Sequence, residues 1–230
     1  MEHYLFLYKS NPLFKGIPEE ELLSLLECLQ AKQRVCAKGS VIFAKGEAAH
    51  HLGIVLTGRV NTVYDDVLGG RSIIGSIDPG QLFCEAFACA GSQSLPVSVV
   101  AQAESTVLLI NIDRILHSCA ATCKQHQRLN ENLIHILAEK YVSLNQKLIH
   151  LSGRTTRRKL LSYLSEQMRL SSGRPFVIPF NQQELADYLF IDRSGLSTEW
   201  NKLKKEGILR LENGRYTLQI SPCAGYDCGS

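Results

Sequence analysis

The spacing of apolar and polar residues changes character several times along the chain. A helix is predicted over 18–29, where Pro18-Glu19-Glu20-Glu21 opens a segment with Leu22, Leu23, Leu25, Leu26 and Leu29 on an apolar face. From about 32 to 113 the pattern becomes short β-rich runs, at 40–44, 52–56, 59–64, 72–77, 97–101 and 106–112. They are punctuated at Gly39, Gly46, Gly58, Gly69-Gly70 and Asp78-Pro79-Gly80. Many short strands with glycine turns predict a β-sandwich or roll, and the Ala/Cys-rich stretch 81–91 fits one short helix between strands. A long helix follows over about 124–152. Its residues Leu133, Leu137, Tyr141, Leu144, Leu148 and Leu151 recur at spacings of 4, 4, 3, 4 and 3, close to the coiled-coil period, with Lys140 and Lys147 interrupting the stricter version. A further amphipathic helix is predicted over 159–170 and a short strand over 176–180. The mostly small or polar residues 221–230 read as a disordered tail.

The stretch 181–209 carries the clearest local signals. Asn181 followed by Glu184 is a capping box, Leu185, Ala186 and Leu189 line one helix face, and Asp192 stands where a second helix would begin. In that second helix Leu196, Trp200 and Leu203 form a buried stripe, while Ser194, Ser197, Thr198, Asn201 and Lys205 stand on the other side. Gly207 ends it. Two alternating runs then flank Asn213-Gly214, the preferred pair for a two-residue hairpin turn. Helix, turn, helix and hairpin predict a winged helix-turn-helix whose second helix suits a DNA major groove. The competing reading is a small helical core with an incidental hairpin.

Charge supports the DNA reading. The 230 residues have a formal net charge of +3, unevenly spread. Residues 1–152 hold 13 Lys/Arg and 14 Asp/Glu, whereas 153–215 hold 12 Lys/Arg and 7 Asp/Glu. The basic excess coincides with the helix-turn-helix, where phosphate contacts need it. No run approaches ~18 apolar residues, so no membrane span is expected. The first residues do not read as a signal peptide, and the 8 cysteines are too few for a disulfide scaffold of this size, so reduced thiols in the cytoplasm are expected.

A β-roll, a long helix and a winged helix-turn-helix resemble the CRP/FNR family of bacterial transcription regulators over roughly 10–220. Lys38-Gly39-Ser40-Val41-Ile42-Phe43-Ala44-Lys45-Gly46-Glu47 with Leu56-Thr57-Gly58-Arg59-Val60 is similar to the family's roll signature. Gly80-Gln81-Leu82-Phe83-Cys84-Glu85-Ala86 is similar to the cassette that cradles ribose and phosphate in cyclic-nucleotide binders, and Ile191-Asp192-Arg193-Ser194 to the start of the recognition helix. The resemblance implies an effector site at Phe83, Cys84, Glu85, Ala86, Pro96, Val97 and Ser98, with Glu85 in the ribose-binding role. It also implies an arginine for the phosphate about ten residues on. That place falls at Leu95-Pro96, and no Arg or Lys lies from Gln81 to Ala103. A phosphate facing a glutamate without a cation is repelled, so cyclic AMP is not the expected effector. Ser194 and Thr198 stand where the family commonly has a glutamate and an arginine, so a different operator sequence is expected.

Other sensing chemistry is open. His117, Cys119, Cys123 and His126 fall within ten residues and have the donor types for zinc or another soft metal, although one helix does not wrap four ligands round an ion. Buried free thiols and surface histidines are the plain alternative. Cys84 and Cys89 offer a thiol switch, and the adjacent His50-His51 a haem ligand. The family's iron–sulfur members have a different cysteine pattern near the N-terminus. No P-loop, dinucleotide fingerprint or zinc-protease helix is present, so no enzyme is expected. A cupin-like metalloenzyme and a ligand-binding module acting without DNA are the readings from other classes.

The expected fold is therefore α+β: an N-terminal β-roll (double-stranded β-helix) over 1–123 that senses a small molecule, a dimerisation helix over 124–152, and a winged helix-turn-helix over 153–220. Arg193 is expected to read a guanine. Ser194, Ser197, Thr198 and Asn201 would tune the readout, and Arg157, Arg158, Lys202, Lys205 and Arg215 would meet phosphates. The dimer is expected to form through Leu133, Leu137, Tyr141, Leu144, Leu148 and Leu151. The partners are double-stranded DNA, a second copy of the chain and, for an activator, RNA polymerase.

Overall fold

The computed structural model describes residues 2–65, 70–117 and 124–219, in two compact units that divide between Lys140 and Tyr141. The division falls inside the long helix rather than at either of its ends.

In the first unit, α1 (Leu5–Ser10), a single helical turn at Pro12–Phe14 and α2 (Glu19–Cys28) precede the strands. Asn11 joins them to the roll: its Oδ1 accepts from the Leu13 N–H and its Nδ2 donates to the Gly80 carbonyl. One sheet has the order β1 (Lys32–Cys36), β8 (Ser105–Asn111), β3 (His51–Thr57), β6 (Leu82–Phe83). The other has the order β2 (Val41–Phe43), β7 (Ser98–Ala101), β4 (Val60–Asp65), β5 (Arg71–Ile77). All pairings are antiparallel. Short helices α3 (Glu85–Cys89) and α4 (Ile112–Leu116) follow β6 and β8.

The period of two along each strand sends alternate residues to two different cores. Leu52, Ile54, Leu56, Leu108 and Ile110 pack with α2 and with the start of α5 (Lys124–Leu151). Cys36, Val55, Val60, Phe83, Val99 and Val107 fill the space between the sheets. Two glycines permit this packing. Phe83 lies directly over Gly53, where any Cβ would overlap its ring. Gly58 turns β3 into β4 at φ +79 against the Glu104 carbonyl and Ser105, so it meets both a backbone and a space requirement.

The second unit holds α6 (Thr156–Leu170), α7 (Gln182–Leu189), α8 (Arg193–Lys205) and the hairpin β9 (Leu209–Glu212), β10 (Arg215–Leu218). Leu160, Tyr163, Leu164, Leu185, Leu189, Leu196, Trp200, Leu203 and Leu218 form its core. Asn213 and Gly214 both have positive φ, 51 and 74, as a type I′ turn requires. His150, near the end of α5, is buried between the Tyr188 hydroxyl at 3.1 Å from Nδ1 and the Gln146 amide at 3.2 Å from Nε2. Burial holds its imidazole below the ordinary value.

Several expectations need correcting. The predicted strand 176–180 is only a single bridge, Phe176 to Tyr216, because Pro175 and Pro179 have no N–H to donate to a ladder. Residues 156–158, left outside the helix predicted over 159–170, already belong to α6, which is capped by Thr155. Leu133 does not stand free for a partner subunit: it is buried in the first unit's core, and Leu137 packs against the same core. The period of a helix shows which side is apolar, but a helix can turn that side to its own domain. Tyr141, Leu144 and Leu148 are exposed, and so are Ile134, Val142 and Ile149. The expected tail 221–230 lies outside the described residues, as do Cys119 and Cys123.

Candidate functional site

The helix-turn-helix is built by local chemistry. Asn181 Oδ1 accepts the Glu184 N–H at 2.9 Å, and Glu184 returns a carboxylate to the Asn181 N–H at 2.8 Å. This reciprocal cap fixes the start of α7. The helix ends at Phe190, which adopts the left-handed conformation (φ 50), and the ammonium of Lys159 accompanies that end, 3.1 Å from the Leu189 carbonyl and 3.3 Å from that of Phe190. A cation on the terminal carbonyls of a helix is favourable. Sequence reasoning missed this role of Lys159, which spans 30 residues and has no local signature. Asp192 occupies the N-cap position of α8 as expected, but its side chain makes no capping hydrogen bond.

Leu196, Trp200 and Leu203 anchor α8 in the core. Arg193, Ser194, Thr198, Asn201, Lys202 and Lys205 are exposed and Ser197 is half-buried. The Thr198 hydroxyl donates to the Ser194 carbonyl at 2.9 Å, which leaves its oxygen able to accept. Arg193 has no ion pair among the described residues, whereas Lys202 is 2.6 Å from Glu199. Arg158 is exposed at the start of α6, and Arg215 is exposed on the hairpin. Arg157 differs from its expected role. Its guanidinium grips both carboxylate oxygens of Glu206, with Glu199 at 3.8 Å, and so ties α6 to α8. That fork is committed inside the domain rather than offered to a phosphate. The two glutamates lie 49 and 42 positions away in the chain, beyond the reach of local reading.

In the roll, Phe83 and Glu85 are buried, Cys84 and Val97 half-buried, and Ala86 and Pro96 exposed. Ser98 is buried and its Oγ accepts the Lys45 N–H at 3.0 Å. Glu85 is only 5 % exposed, yet it has a cation: Lys140 on α5 places Nζ 2.7 Å from Oε1 and 3.1 Å from the Leu82 carbonyl. Lys140 was legible only as a break in the helix seam. Here it neutralises the one carboxylate of the cassette. Burial beside Glu85 pushes the Cys84 thiol up to about 12, and burial likewise raises Cys89. Both stay protonated near neutral pH, which disfavours a thiolate switch at these positions.

For the metal candidates, His117 Nδ1 lies 3.2 Å from the Asp113 carbonyl, and His126 is buried with Nε2 4.0 Å from Cys28 Sγ, a neighbour not foreseen from the sequence. Among the described residues no group of three or more His, Cys, Asp or Glu side chains converges as metal ligands. No described helix is long and apolar enough to cross a membrane.

Two family models match the chain: a cyclic nucleotide-binding domain over residues 33–121 and a Crp-like helix-turn-helix domain over 158–221. The cyclic AMP receptor protein of Thermus thermophilus is 27 % identical over 217 residues, covering 94 % of this chain and 95 % of that protein. Among solved structures, the Thermus thermophilus catabolite activator protein matches with a TM-score of 0.54 at 24 % identity, over 91 % of this chain and 94 % of that one. The sensor domain of the transcriptional regulator DNR from Pseudomonas aeruginosa matches with a TM-score of 0.52 at 19 % identity, over 67 % of this chain and 97 % of that one. These two likenesses concern the fold. A roll of the cyclic-nucleotide-binding type followed by a Crp-like helix-turn-helix supports a regulator of the CRP/FNR type, a group of transcription factors that bind DNA and act as dimers.

Proposed function

We propose that this protein is a homodimeric, cytoplasmic regulator that reads DNA through α8 and responds to an effector other than cyclic AMP. The observation that carries the DNA reading is the exposed face of α8, with an unpaired Arg193 at its N-terminal end and hydroxyl and amide groups along it. Arg193 donates its fork to O6 and N7 of a guanine, and Ser194, Ser197, Thr198 and Asn201 tune neighbouring positions. Arg158, Lys202, Lys205 and Arg215 meet phosphates and fix the register. The exposed apolar side chains of α5, Tyr141, Leu144 and Leu148 among them, pack against the second subunit, with Leu151 at the end of the same side. Two recognition helices then meet half-sites ~34–36 Å apart. An activator of this kind also contacts RNA polymerase.

The effector reading rests on Glu85. In a cyclic-nucleotide cassette that carboxylate accepts a ribose hydroxyl while an arginine holds the phosphate. Here Lys140 already occupies Glu85, and no Arg or Lys lies from Gln81 to Ala103. The net arrangement favours a ligand that does not bring a phosphate to this corner. A ligand that competes with Lys140 for Glu85 would release the Lys140 side chain from the cassette, while the buried residues of α5 stay packed, and bias pre-existing states of the regulator.

Arg193→Ala tests the first reading. Binding to the selected operator should weaken by ~1–3 kcal/mol, with a much smaller loss on random DNA; equal losses on both would remove Arg193 from base reading. Equilibrium dialysis with cyclic AMP tests the second. Saturable binding at micromolar concentration would contradict it.

A further inference from the structure

The roll has a recess that opens beside β1, where Phe43 of its lining packs against Phe83 at 5.9 Å between ring centroids. It is a cavity of about 690 Å³ between the two sheets, within the range of small-molecule sites and lined by none of Phe83–Ala86. Strand register shows why it is polar. Residues paired across antiparallel strands share a face. Arg34, Val107 and Val55 form one rung across β1, β8 and β3; Lys32, Leu109 and Gly53 form the next; His51 and Asn111 form the last. The same face that is closed by Val55 and Val107 in the roll's interior therefore ends in Lys32, Arg34, His51 and Asn111. Ile42 and Phe43 of β2 supply an apolar wall opposite them.

The charges are unbalanced. Two fixed cations and an imidazole face one carboxylate, that of Glu47, which is already accepting the Ala44 N–H at 3.0 Å. Arg34 donates to the Ile42 and Val41 carbonyls at 3.2 and 3.3 Å, so it is held in place across the mouth. Among the described residues neither Lys32 nor Arg34 has an ion-pair partner. Burial, together with the neighbouring His50 and Lys32, keeps His51 less basic than usual.

We propose that this end of the roll binds a small anionic metabolite, its carboxylate or phosphate group between Lys32, Arg34 and His51 and its apolar part against Ile42, Phe43 and Leu109. A lysine and a pinned arginine supply charge, Asn111 supplies a neutral hydrogen-bonding group, and the anion replaces the missing counter-charge of the site. The site does not use Glu85, which is not among its lining residues, and it stands whether or not the DNA-binding reading does. An incoming anion stabilises the imidazolium of His51, so binding tightens as the medium becomes more acidic. The other charged groups facing His51, Lys32, Arg34 and neighbouring His50 against Glu47, leave the local balance positive and keep this sign.

The test is calorimetric titration of the full-length protein with citrate and, separately, inorganic phosphate, at low ionic strength. The two probes separate carboxylate from phosphate preference. Saturable binding of at least one is expected, weakened about tenfold by Lys32→Gln, the size of one lost charge-assisted contact. Between about pH 8 and pH 6 the ratio of wild-type to His51→Gln affinity should rise for the same probe, since the probe's own protonation is common to both proteins. Arg193→Ala, which alters the DNA-binding unit alone, should leave it unchanged. Absence of saturable binding up to about 10 mM of either probe, or binding that survives both Lys32→Gln and His51→Gln undiminished, would overturn the proposal.

Discussion

Replacing Lys140 with methionine should destabilise the first unit far more than replacing its partner Glu85 with glutamine. Met retains most of the aliphatic length but removes the ammonium 2.7 Å from Glu85, leaving a carboxylate that is 5 % exposed without its cation. Breaking a fully buried pair in this way costs ~3–5 kcal/mol. The Lys140 side chain is 50 % exposed, so water screens one side of this pair and the expected cost falls to about 1–2 kcal/mol. Glu85→Gln leaves Lys140 free to turn to solvent and still offers it an amide oxygen, so its cost should stay below about 1 kcal/mol. In the double variant neither charge remains, and the two effects should fail to add by about 1 kcal/mol. Urea denaturation of all four proteins at one concentration gives this cycle, since dimerisation makes stability concentration-dependent. With a slope near 2 kcal/mol/M, Lys140→Met should lower the midpoint by roughly 0.5–1 M. A shift below about 0.2 M, or strict additivity, would mean that the ion pair does not hold α5 to the cassette.

Three further perturbations probe the helices. Phe190 carries a side chain at positive φ, so Phe190→Gly should be more stable than Phe190→Ala by about 1 kcal/mol in thermal unfolding, both having lost the ring contact with Lys147; Ala equalling Gly would show that the turn is unstrained. Leu148→Glu, or Leu144→Glu, should convert the dimer to monomer in sedimentation because each places a charge in an apolar interface, and a persisting dimer would move the interface elsewhere. His150, held below its unfolded value by burial, binds fewer protons in the folded state, so stability is full above about pH 6.5 and should fall as the pH drops through the window below it. Glu166, which is held low, loses its contribution only nearer the carboxylate range. A His150→Gln variant should therefore lose less stability than the wild type between about pH 7 and pH 5 in calorimetry, the remainder coming from His51, which burial also holds low; an unchanged slope would assign the effect to another group.

The parts legible in the sequence were those written within a few residues. Asn181 with Glu184, the Leu196–Trp200–Leu203 stripe and Asn213-Gly214 each specify geometry over a turn or two, and α7, α8 and the hairpin follow them. Six strands of the roll were also visible, because glycine turns bound them. β1 was not: in Lys32–Cys36 only the last residue is buried, and its cations face the open end of the roll, so no apolar alternation marks it. β6 has two residues, too few for any period. The cassette's chemistry was half visible. Glu85 and the lack of a nearby arginine could be read directly, whereas its pairing with Lys140 spans 55 positions. Arg157 shows the same limit, since a surface arginine and an internal clamp are identical in sequence until Glu199 and Glu206 are brought beside it. The α5 repeat was read correctly as apolar but does not say that Leu133 packs on its own roll while Leu144 and Leu148 stay exposed.

The most direct test of the account is methylation protection on operator DNA selected from a random pool by the purified protein. An arginine fork on guanine O6 and N7 shields N7 in the major groove, so the account predicts protected guanines in two symmetric blocks about one helical turn apart, with the protection lost in Arg193→Ala. Tight binding without N7 protection, or a single protected block, would contradict a two-fold reading of the major groove by α8.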